Sequence, residues 1–156
     1  MKATFGLGLG ALAALCQSVY GLEDGAYTID SVISGGTEAL TDYRQPGVPL
    51  EFAQNQRNEY QTWNFQETEK GSSNDKYFLI QSTAGTFLNC GTEKGSACVT
   101  SDSPQAFLPE FAGNGKYQLV VEGSGYFLNA NYKGQLMLAA YDTTDNELFF
   151  LSPAEQ

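Results

Sequence analysis

Apolar residues recur at every second position in several short segments of this chain, and clusters of glycine, serine and asparagine separate those segments. Such alternation is typical of β-strands that bury one face. After residue 22, no segment keeps the apolar period of a helix for three turns. The pattern therefore predicts an all-β fold. Its strands are expected at residues 27–32, 48–52, 77–82, 117–121 and 135–139.

A threefold repeat runs through the same segments. Each copy begins with a tyrosine, one further residue and then Ile or Leu, and has a glycine eight residues after the tyrosine; the tyrosines are Tyr27, Tyr77 and Tyr117. Each copy also ends alike, with an aromatic residue two positions after Gln or Glu, at Trp63, Phe107 and Phe149. The copies, at about 25–70, 75–112 and 115–153, are expected to close around one shared core, because such a unit cannot bury its apolar face alone.

The first 21 residues are predicted to be a secretory signal peptide. They contain one basic residue, Lys2, then an apolar run rich in Leu, Ala and Gly, and end in the small residue Gly21. The apolar run is shorter than the roughly 20 residues that a membrane-spanning helix needs. We therefore expect a secreted, extracellular protein without a membrane anchor, whose residues 22–156 form a single domain.

The charge of the chain excludes one class of partner. Its 156 residues carry a formal net charge of −10, with 18 acidic residues, 8 basic residues and no histidine. Nucleic-acid binding relies on clustered Lys and Arg that displace counterions from phosphates. The basic residues here are scattered singly along the sequence. No nucleic-acid partner is expected.

Two of the three cysteines, Cys90 and Cys98, lie beyond the signal peptide and flank a short polar turn. In an exported chain, such a pair is expected to form a disulfide. The bond would join the two arms of a hairpin and stabilise the fold by about 2 to 3 kcal/mol in the chain-entropy model. Two cysteines without a histidine make a poor zinc site. No metal is expected.

The order Tyr-x-Ile/Leu, Ser/Ala-Gly, Leu and then Gln-x-Trp-x-Phe resembles the pattern of β-trefoil domains of the ricin-B lectin type, in particular small secreted ones from fungi. The strongest single element is Gln61-Thr-Trp63-Asn-Phe65. The resemblance extends from Gly25 to about Ser152, almost the whole predicted domain. It implies a β-trefoil, which is a barrel of three pseudo-symmetric repeats capped by hairpins. It also implies that Trp63 points into the core and has a structural role.

Members of that family bind sugars in shallow pockets, one in each repeat, and the resemblance therefore implies a lectin with glycan partners. The family usually has an aspartate after the conserved leucine and an asparagine before the Gln of Gln-x-Trp. Only the third repeat keeps polar residues at both positions, Asn129 and Asn146. We expect the sugar site there, with Tyr141 stacking on the sugar and Asp142 completing the polar set. The same residues also suit an ordinary exposed turn.

The other two repeats match the family less well. The first has Thr41 at the aspartate position, with a weaker candidate set of Asp42, Tyr43 and Tyr60. The second has Asn89 beside the cysteine pair and no aromatic residue in the matching hairpin. We expect the second repeat not to bind sugar.

Catalysis has little support in the sequence. Without histidine, Ser-His-Asp and Cys-His arrangements cannot form. A pair of carboxylates could still cleave a glycoside, but no pair among the acidic residues stands out. Asp142, Asp145 and Glu147 lack the alternating spacing of a calcium loop. The protein is expected to be neither an enzyme nor a cofactor-binding protein.

A protein partner is the alternative to a glycan. A trefoil can present its loops to another protein, as in protease inhibitors similar to the fungal mycocypins or in effectors directed at a host protein. The best candidate loop is residues 42–49, in which two prolines stiffen a segment that also contains Tyr43 and Arg44. The same loop can equally be a simple insertion in the first repeat.

Overall fold

The computed structural model describes residues 22–68 and 75–154; the predicted signal peptide and the last residues assigned to the first repeat lie outside this range. Within it, the chain forms twelve strands and two 3₁₀ turns, at Glu59–Gln61 and Asp145–Glu147, and no helix is long and apolar enough to cross a membrane. Each repeat supplies four consecutive strands. The strands are β1 (Gly25–Ser31), β2 (Glu38–Thr41), β3 (Glu51–Gln54), β4 (Trp63–Glu67), β5 (Phe78–Ser82), β6 (Phe87–Asn89), β7 (Val99–Ser101), β8 (Ala106–Gly113), β9 (Lys116–Val121), β10 (Phe127–Ala130), β11 (Leu136–Ala139) and β12 (Phe149–Pro153).

Six of the strands close into a barrel. Strand β1 pairs with β4, β4 with β5, β5 with β8, β8 with β9, β9 with β12, and β12 again with β1, and all six pairs are antiparallel. Each repeat contributes its first and fourth strands to this closed sheet. Because the sheet is closed, each barrel strand has a hydrogen-bonded partner on both sides.

The two middle strands of each repeat pair as a hairpin, and the three hairpins meet one another. The Leu50 N–H donates to the Cys98 carbonyl at 2.9 Å, the Cys98 N–H to the Leu136 carbonyl at 2.8 Å, and the Leu136 N–H to the Leu50 carbonyl at 3.2 Å. We call this cycle of three bonds the hairpin ring. It relates the three repeats by threefold pseudosymmetry, as predicted for a β-trefoil.

The predicted disulfide is present. Cys90 directly follows β6, Cys98 directly precedes β7, and their sulfur atoms are 2.04 Å apart. Both side chains are buried. The bond joins the two arms of the second-repeat hairpin next to the hairpin ring.

All three repeats contribute to one core. Trp63, Phe107 and Phe149, which share the aromatic position at the end of each repeat, are fully buried. The prediction that Trp63 is a core residue is therefore confirmed. The leucines that occupy a second shared position are also fully buried, and they are Leu40, Leu88 and Leu128.

One predicted strand is displaced. Residues 48–52 were expected to be extended, but β3 begins at Glu51. The preceding residues form a turn in which Gly47 has a φ of 82° and donates its N–H to the Thr100 carbonyl at 3.0 Å. Pro49 has no N–H with which to join a strand ladder. The turn therefore delays the strand by three residues.

Candidate functional site

In the first and third repeats, a 3₁₀ turn leads into the last barrel strand beside the hairpin of the same repeat. We call these places the first-repeat rim and the third-repeat rim. In the first, the Asp42 N–H donates to the Tyr60 carbonyl at 2.8 Å, which joins the end of β2 to the 3₁₀ turn. In the third, the Asn146 side-chain N–H donates to the Ala130 carbonyl at 2.7 Å. Each rim thus has a framework that is fixed by hydrogen bonds.

The first-repeat rim encloses a cavity of about 480 Å³. A volume of this size is typical of sites for small molecules. Polar and aromatic side chains dominate its walls. We call it the first-repeat cavity, and its lining residues are Thr41, Tyr43, Ala53, Gln54, Gln56, Asn58, Tyr60 and Gln61.

Two tyrosines of this cavity present their rings to solvent, Tyr43 with 53% of its surface exposed and Tyr60 with 44%. The Arg44 guanidinium lies 4.9 Å from the centroid of the Tyr60 ring. It also pairs with the Glu59 carboxylate at 3.0 Å and donates to the Thr83 hydroxyl at 2.9 Å. These contacts hold the Tyr60 ring in place.

The amides of the first-repeat cavity fall into two groups. Gln61 is buried and uses its whole amide within the protein: Nε2 donates to the Thr41 hydroxyl at 3.0 Å, and Oε1 accepts from the Gln56 N–H at 2.8 Å. The side chains of Gln54 and Gln56 are exposed and have no hydrogen-bond partner within the described residues. They are therefore available to a ligand.

Asp42, predicted as part of the weaker set, does not line the first-repeat cavity. It is 2% exposed, and its Oδ1 accepts from the Arg44 N–H at 2.9 Å. Its carboxylate shapes the turn that carries Tyr43, and Arg44 adopts a φ of 63° in the same turn. Tyr43 and Tyr60 thus line the same cavity, whereas Asp42 has a structural role in the turn beside them.

The predicted site residues of the third repeat are all at or near the third-repeat rim. Asn129 is 8% exposed, and its amide lies close to the buried carboxyl of Glu147, whose pKa it acts to lower. The Glu147 Oε1 also accepts from the Asp142 N–H at 3.0 Å. Tyr141 is 57% exposed, with its ring centroid 5.1 Å from that of Phe127. Asn129 and Asp142 therefore meet at Glu147, whereas Tyr141 stands on the outside of the rim.

Two carboxyl groups of the third-repeat rim, those of Asp142 and Glu147, have opposite pKa shifts. Burial acts to raise the pKa of Asp142, but hydrogen bonds from the Thr144 hydroxyl at 2.7 Å and N–H at 2.9 Å outweigh it and lower the pKa. Burial raises the pKa of Glu147, and the nearby charge of Asp142 adds to the rise. Asp142 is therefore the charged acceptor that this rim presents to solvent.

A second cavity, of about 500 Å³, lies between the β1–β2 turn of the first repeat and the β10–β11 turn of the third. Asn146 lines it, and so does Tyr132, whose side chain is almost fully exposed. Of the four residues predicted for the third-repeat sugar site, Asn146 alone appears in this lining. The remaining lining residues are Ser31, Ile33, Ser34, Thr37, Glu38, Phe52, Ala130, Asn131 and Gly134.

In the second repeat, the Asn89 amide is used within the protein. Its Nδ2 donates to the Ser103 carbonyl at 3.0 Å, and its Oδ1 accepts from the Gly91 N–H at 2.9 Å. The expectation that this repeat binds no sugar stays a prediction, and these two bonds are consistent with it.

The sequence reasoning missed three polar residues of the first-repeat cavity, Gln54, Gln56 and Asn58. The available signal was a run of amide side chains between a strand and the Gln-x-Trp motif. As for metal ions, the described residues contain no group of three or more Cys, Asp or Glu side chains that could hold one.

Solved structures with the same fold include an agglutinin, a ricin B-like lectin and a protein bound to a saccharide. The Rhizoctonia solani agglutinin is 18% identical, with a TM-score of 0.72, and the match covers 85% of this chain and 97% of that one. The Macrolepiota procera ricin B-like lectin, in complex with lactose, is 15% identical with a TM-score of 0.68, covering 85% and 99%. SeviL bound to the asialo-GM1 saccharide is 21% identical with a TM-score of 0.67, covering 85% and 100%.

At these low identities, the TM-scores show a shared fold, and the β-trefoil predicted from the repeats is confirmed. Among curated proteins, no sequence matches this chain. The family model of the fascin domain matches residues 41–151, which is more than two thirds of the chain and includes strands of all three repeats. The chain therefore belongs to the fascin-domain family.

Proposed function

We propose that this protein is a lectin-like module that binds glycans at its rims without cleaving them. The observation that carries the proposal is the first-repeat cavity, whose lining combines two exposed tyrosine rings with the amides of Gln54 and Gln56, which have no hydrogen-bond partner among the described residues. A sugar offers a C–H face that packs on an aromatic ring, and hydroxyl pairs that match planar amides. The cavity offers both kinds of contact within one concave surface.

Structural relatives support the same function at low identity. The Macrolepiota procera lectin is described with lactose and SeviL with the asialo-GM1 saccharide. An endo-β-galactosidase from Clostridium perfringens also contains the fold, but the match covers only 34% of that chain. In this protein, we propose binding alone, because no carboxylate lines the first-repeat cavity, and glycoside cleavage typically uses a pair of carboxyl groups.

The third-repeat rim is the second proposed binding place. Tyr141 can stack on a sugar, and Asp142 offers a charged acceptor. Asn146 donates its Nδ2 to the Ala130 carbonyl, and its Oδ1 has no partner among the described residues. Asn129 contributes less surface because it is almost buried. We therefore expect the first-repeat cavity to bind more tightly, although the sequence pattern alone favours the third repeat.

Glycan-array screening followed by calorimetric titration tests this proposal. Tyr43→Ala and Tyr60→Ala should each cost about 1 to 3 kcal/mol of binding free energy, as buried aromatic anchors do. Tyr141→Ala and Asn129→Ala measure the contribution of the third-repeat rim to the binding free energy. Asn89→Ala is the matched control in the second repeat. Full affinity in all four rim variants would overturn both placements. An array without any bound glycan would overturn the lectin proposal itself.

Export to an oxidising compartment is part of the proposal. The Cys90–Cys98 disulfide supports it, since such bonds persist outside the reducing cytosol. Expression of the full chain, followed by N-terminal sequencing of the secreted product, tests it. Secreted protein that begins at Leu22 is expected, and protein retained in the cell with residues 1–21 intact would contradict the proposal.

A protein partner is the second candidate function, and the exposed loop between β2 and β3 favours it. Tyr43 and Val48 are each about half exposed there, and Arg44 braces the loop through Glu59 and Thr83. A braced loop loses little entropy on binding. Inhibition assays with cysteine and serine proteases test this alternative, with Tyr43→Ala and Val48→Ala as loop variants.

A further inference from the structure

Glu147 occupies a position that the other two repeats fill with glutamine. Gln61, Gln105 and Glu147 each stand two residues before the buried aromatic residue that ends their repeat. Gln61 and Glu147 also accept a hydrogen bond from the backbone N–H five residues earlier. The three repeats therefore contain a matched comparison between an amide and a carboxyl group in similar surroundings.

Both glutamines use the two ends of the amide. The Gln61 oxygen accepts from the Gln56 N–H at 2.8 Å, and its nitrogen donates to the Gln54 carbonyl at 2.9 Å. The Gln105 oxygen accepts from the Cys90 N–H at 2.7 Å, and its nitrogen donates to the Gly91 carbonyl at 2.7 Å. In each case, one end accepts from the backbone and the other end donates to it.

Glu147 completes only the first of these bonds. Its Oε1 accepts from the Asp142 N–H at 3.0 Å, whereas Oε2 is enclosed and has no hydrogen-bond partner within the described residues. The residue is fully buried. By correspondence with Gln54, the carbonyl that should meet this oxygen belongs to Ala140. A bare carboxylate oxygen cannot donate to a carbonyl, but a protonated one can.

The carboxylates that face Glu147 disfavour a negative charge on it, whereas the Asp142 N–H and the Asn129 amide act in the opposite direction without outweighing burial. The loop before the 3₁₀ turn contributes the Asp142 carboxylate, and β10 contributes the neutral amide of Asn129. The 3₁₀ turn itself adds Asp145, which is exposed. No lysine or arginine in the described part of the chain pairs with Glu147. Burial and the charge of Asp142 both raise the pKa of Glu147.

We propose that Glu147 is a proton-dependent positioning residue: its protonated carboxyl donates to the backbone as Gln61 and Gln105 do, and loss of the proton loosens the third-repeat rim at Asn129 and Asp142. The consequence for glycan binding rests on the proposed function of that rim. The pH dependence of the free energy of unfolding does not depend on that function. A proton suits the site better than a cation, because Oε2 is enclosed and a calcium ion needs six to eight oxygen ligands.

The sign of the effect follows from linkage. A folded-state pKa above the ordinary value of 4.5 means that the folded protein binds the proton more tightly than the unfolded chain does. Glu147 therefore contributes stability that is present below pH 4.5 and is lost as the pH rises through the folded-state pKa. Asp142 acts in the other direction and in a different pH range. Because its folded-state pKa is lowered, its charged form contributes stability that is lost only as the pH falls below the ordinary value of 3.8.

Urea unfolding of the full domain from about pH 4 to pH 8 tests the proposal. Between the unfolded and folded pKa values of one group, the unfolding equilibrium constant rises by up to tenfold per pH unit. Glu147→Gln should remove this contribution and be more stable than the wild type at neutral pH. Asp145→Asn is the matched control, because it removes one exposed carboxylate from the same turn and should keep the wild-type slope. Asp30, whose pKa is also raised by burial, contributes equally to all three proteins.

Parallel pH profiles for the wild type and Glu147→Gln would overturn the proposal. A carbon-detected NMR titration of the wild type gives a second reading that needs no variant, and a Glu147 carboxyl that titrates at or below its ordinary pKa would overturn it as well. A rise in stability on adding millimolar calcium chloride, absent in Glu147→Gln, would also overturn the proposal, because it would show that Glu147 binds a cation.

The binding arm uses the best glycan from the array. If the third-repeat rim binds it, affinity in the wild type should fall as the pH rises, and Glu147→Gln should show no such fall. A wild-type affinity that stays constant while its stability follows the predicted profile would overturn the link to binding alone. If no glycan on the array is bound, the proposed lectin function is overturned, and the prediction for stability is unaffected.

Discussion

The indole N–H of Trp63 donates to the backbone carbonyl of Leu40 at 3.0 Å, and both residues are fully buried. This bond connects the barrel strand β4 to strand β2 of the first-repeat hairpin. Phe107 and Phe149 occupy the same position in the other repeats, but phenylalanine has no donor. The first repeat is therefore the one in which the core aromatic residue also fixes the backbone of the rim above it.

Trp63→Phe should lower the free energy of unfolding by about 1 to 3 kcal/mol, because the Leu40 carbonyl loses its donor in a buried place. The ring itself should be accommodated, as Phe107 and Phe149 show that phenylalanine fits this position. Urea denaturation measures the change. Phe107→Leu is the control, since it alters a core ring without breaking a hydrogen bond and should cost less than about 1.5 kcal/mol. Equal costs in the two variants would contradict the role assigned to the bond.

Replacing both Cys90 and Cys98 by alanine should reduce the free energy of unfolding by about 2 to 3 kcal/mol, because the unfolded chain regains the freedom of an eight-residue loop. Reductant added to the wild type should cause a similar loss and should leave the double variant unchanged. Mass spectrometry after alkylation checks the bond directly. Two alkylated cysteines in unreduced protein would contradict it.

Arg44→Gln should weaken glycan binding more than it weakens the fold. The Arg44–Glu59 pair is partly exposed, with side-chain accessibilities of 30% and 69%, so its loss should cost less than about 1 kcal/mol of stability. The same change removes the cation that holds the Tyr60 ring in the first-repeat cavity. Calorimetry and urea unfolding together separate the two effects.

Arg57→Gln is the control for that experiment, because Arg57 is an exposed arginine that, like Arg44, has a positive φ, of 51°, but does not contact Tyr60. It should leave glycan affinity unchanged. Equal losses of affinity in both variants would point to a general charge effect and against positioning of Tyr60.

Thr143→Gly should be neutral or slightly stabilising. Thr143 is β-branched and has a φ of 59°, a conformation that costs about 1 to 3 kcal/mol for such residues and that glycine adopts freely. Thr92→Gly is the control, since Thr92 is exposed in a turn without a positive φ and should lose about 0.5 to 1 kcal/mol. Thermal unfolding measures both. Equal destabilisation would show that Thr143 is not strained.

The repeats and the core were predictable because their signals are local. The spacing of Tyr27, Tyr77 and Tyr117 defines the period, and alternating apolar residues define which face is buried. The candidate site was less predictable because it depends on where side chains point after the repeats close. Asn129 and Tyr43 are both plausible ligand residues in the sequence, but one is nearly buried against Glu147 and the other is half exposed above a cavity.

The hairpin ring is made of backbone atoms, and its bonds at Leu50, Cys98 and Leu136 do not depend on which side chains these positions carry. Sequence changes in the surrounding loops therefore leave the bonds that close the molecule in place. Each repeat can therefore differ in its outward residues without loss of assembly. One copy could acquire tyrosines and free amides, another a cystine, and a third a buried acid. Exchanging a whole hairpin between copies should therefore give chimeras that still close, each with a different arrangement of binding surfaces.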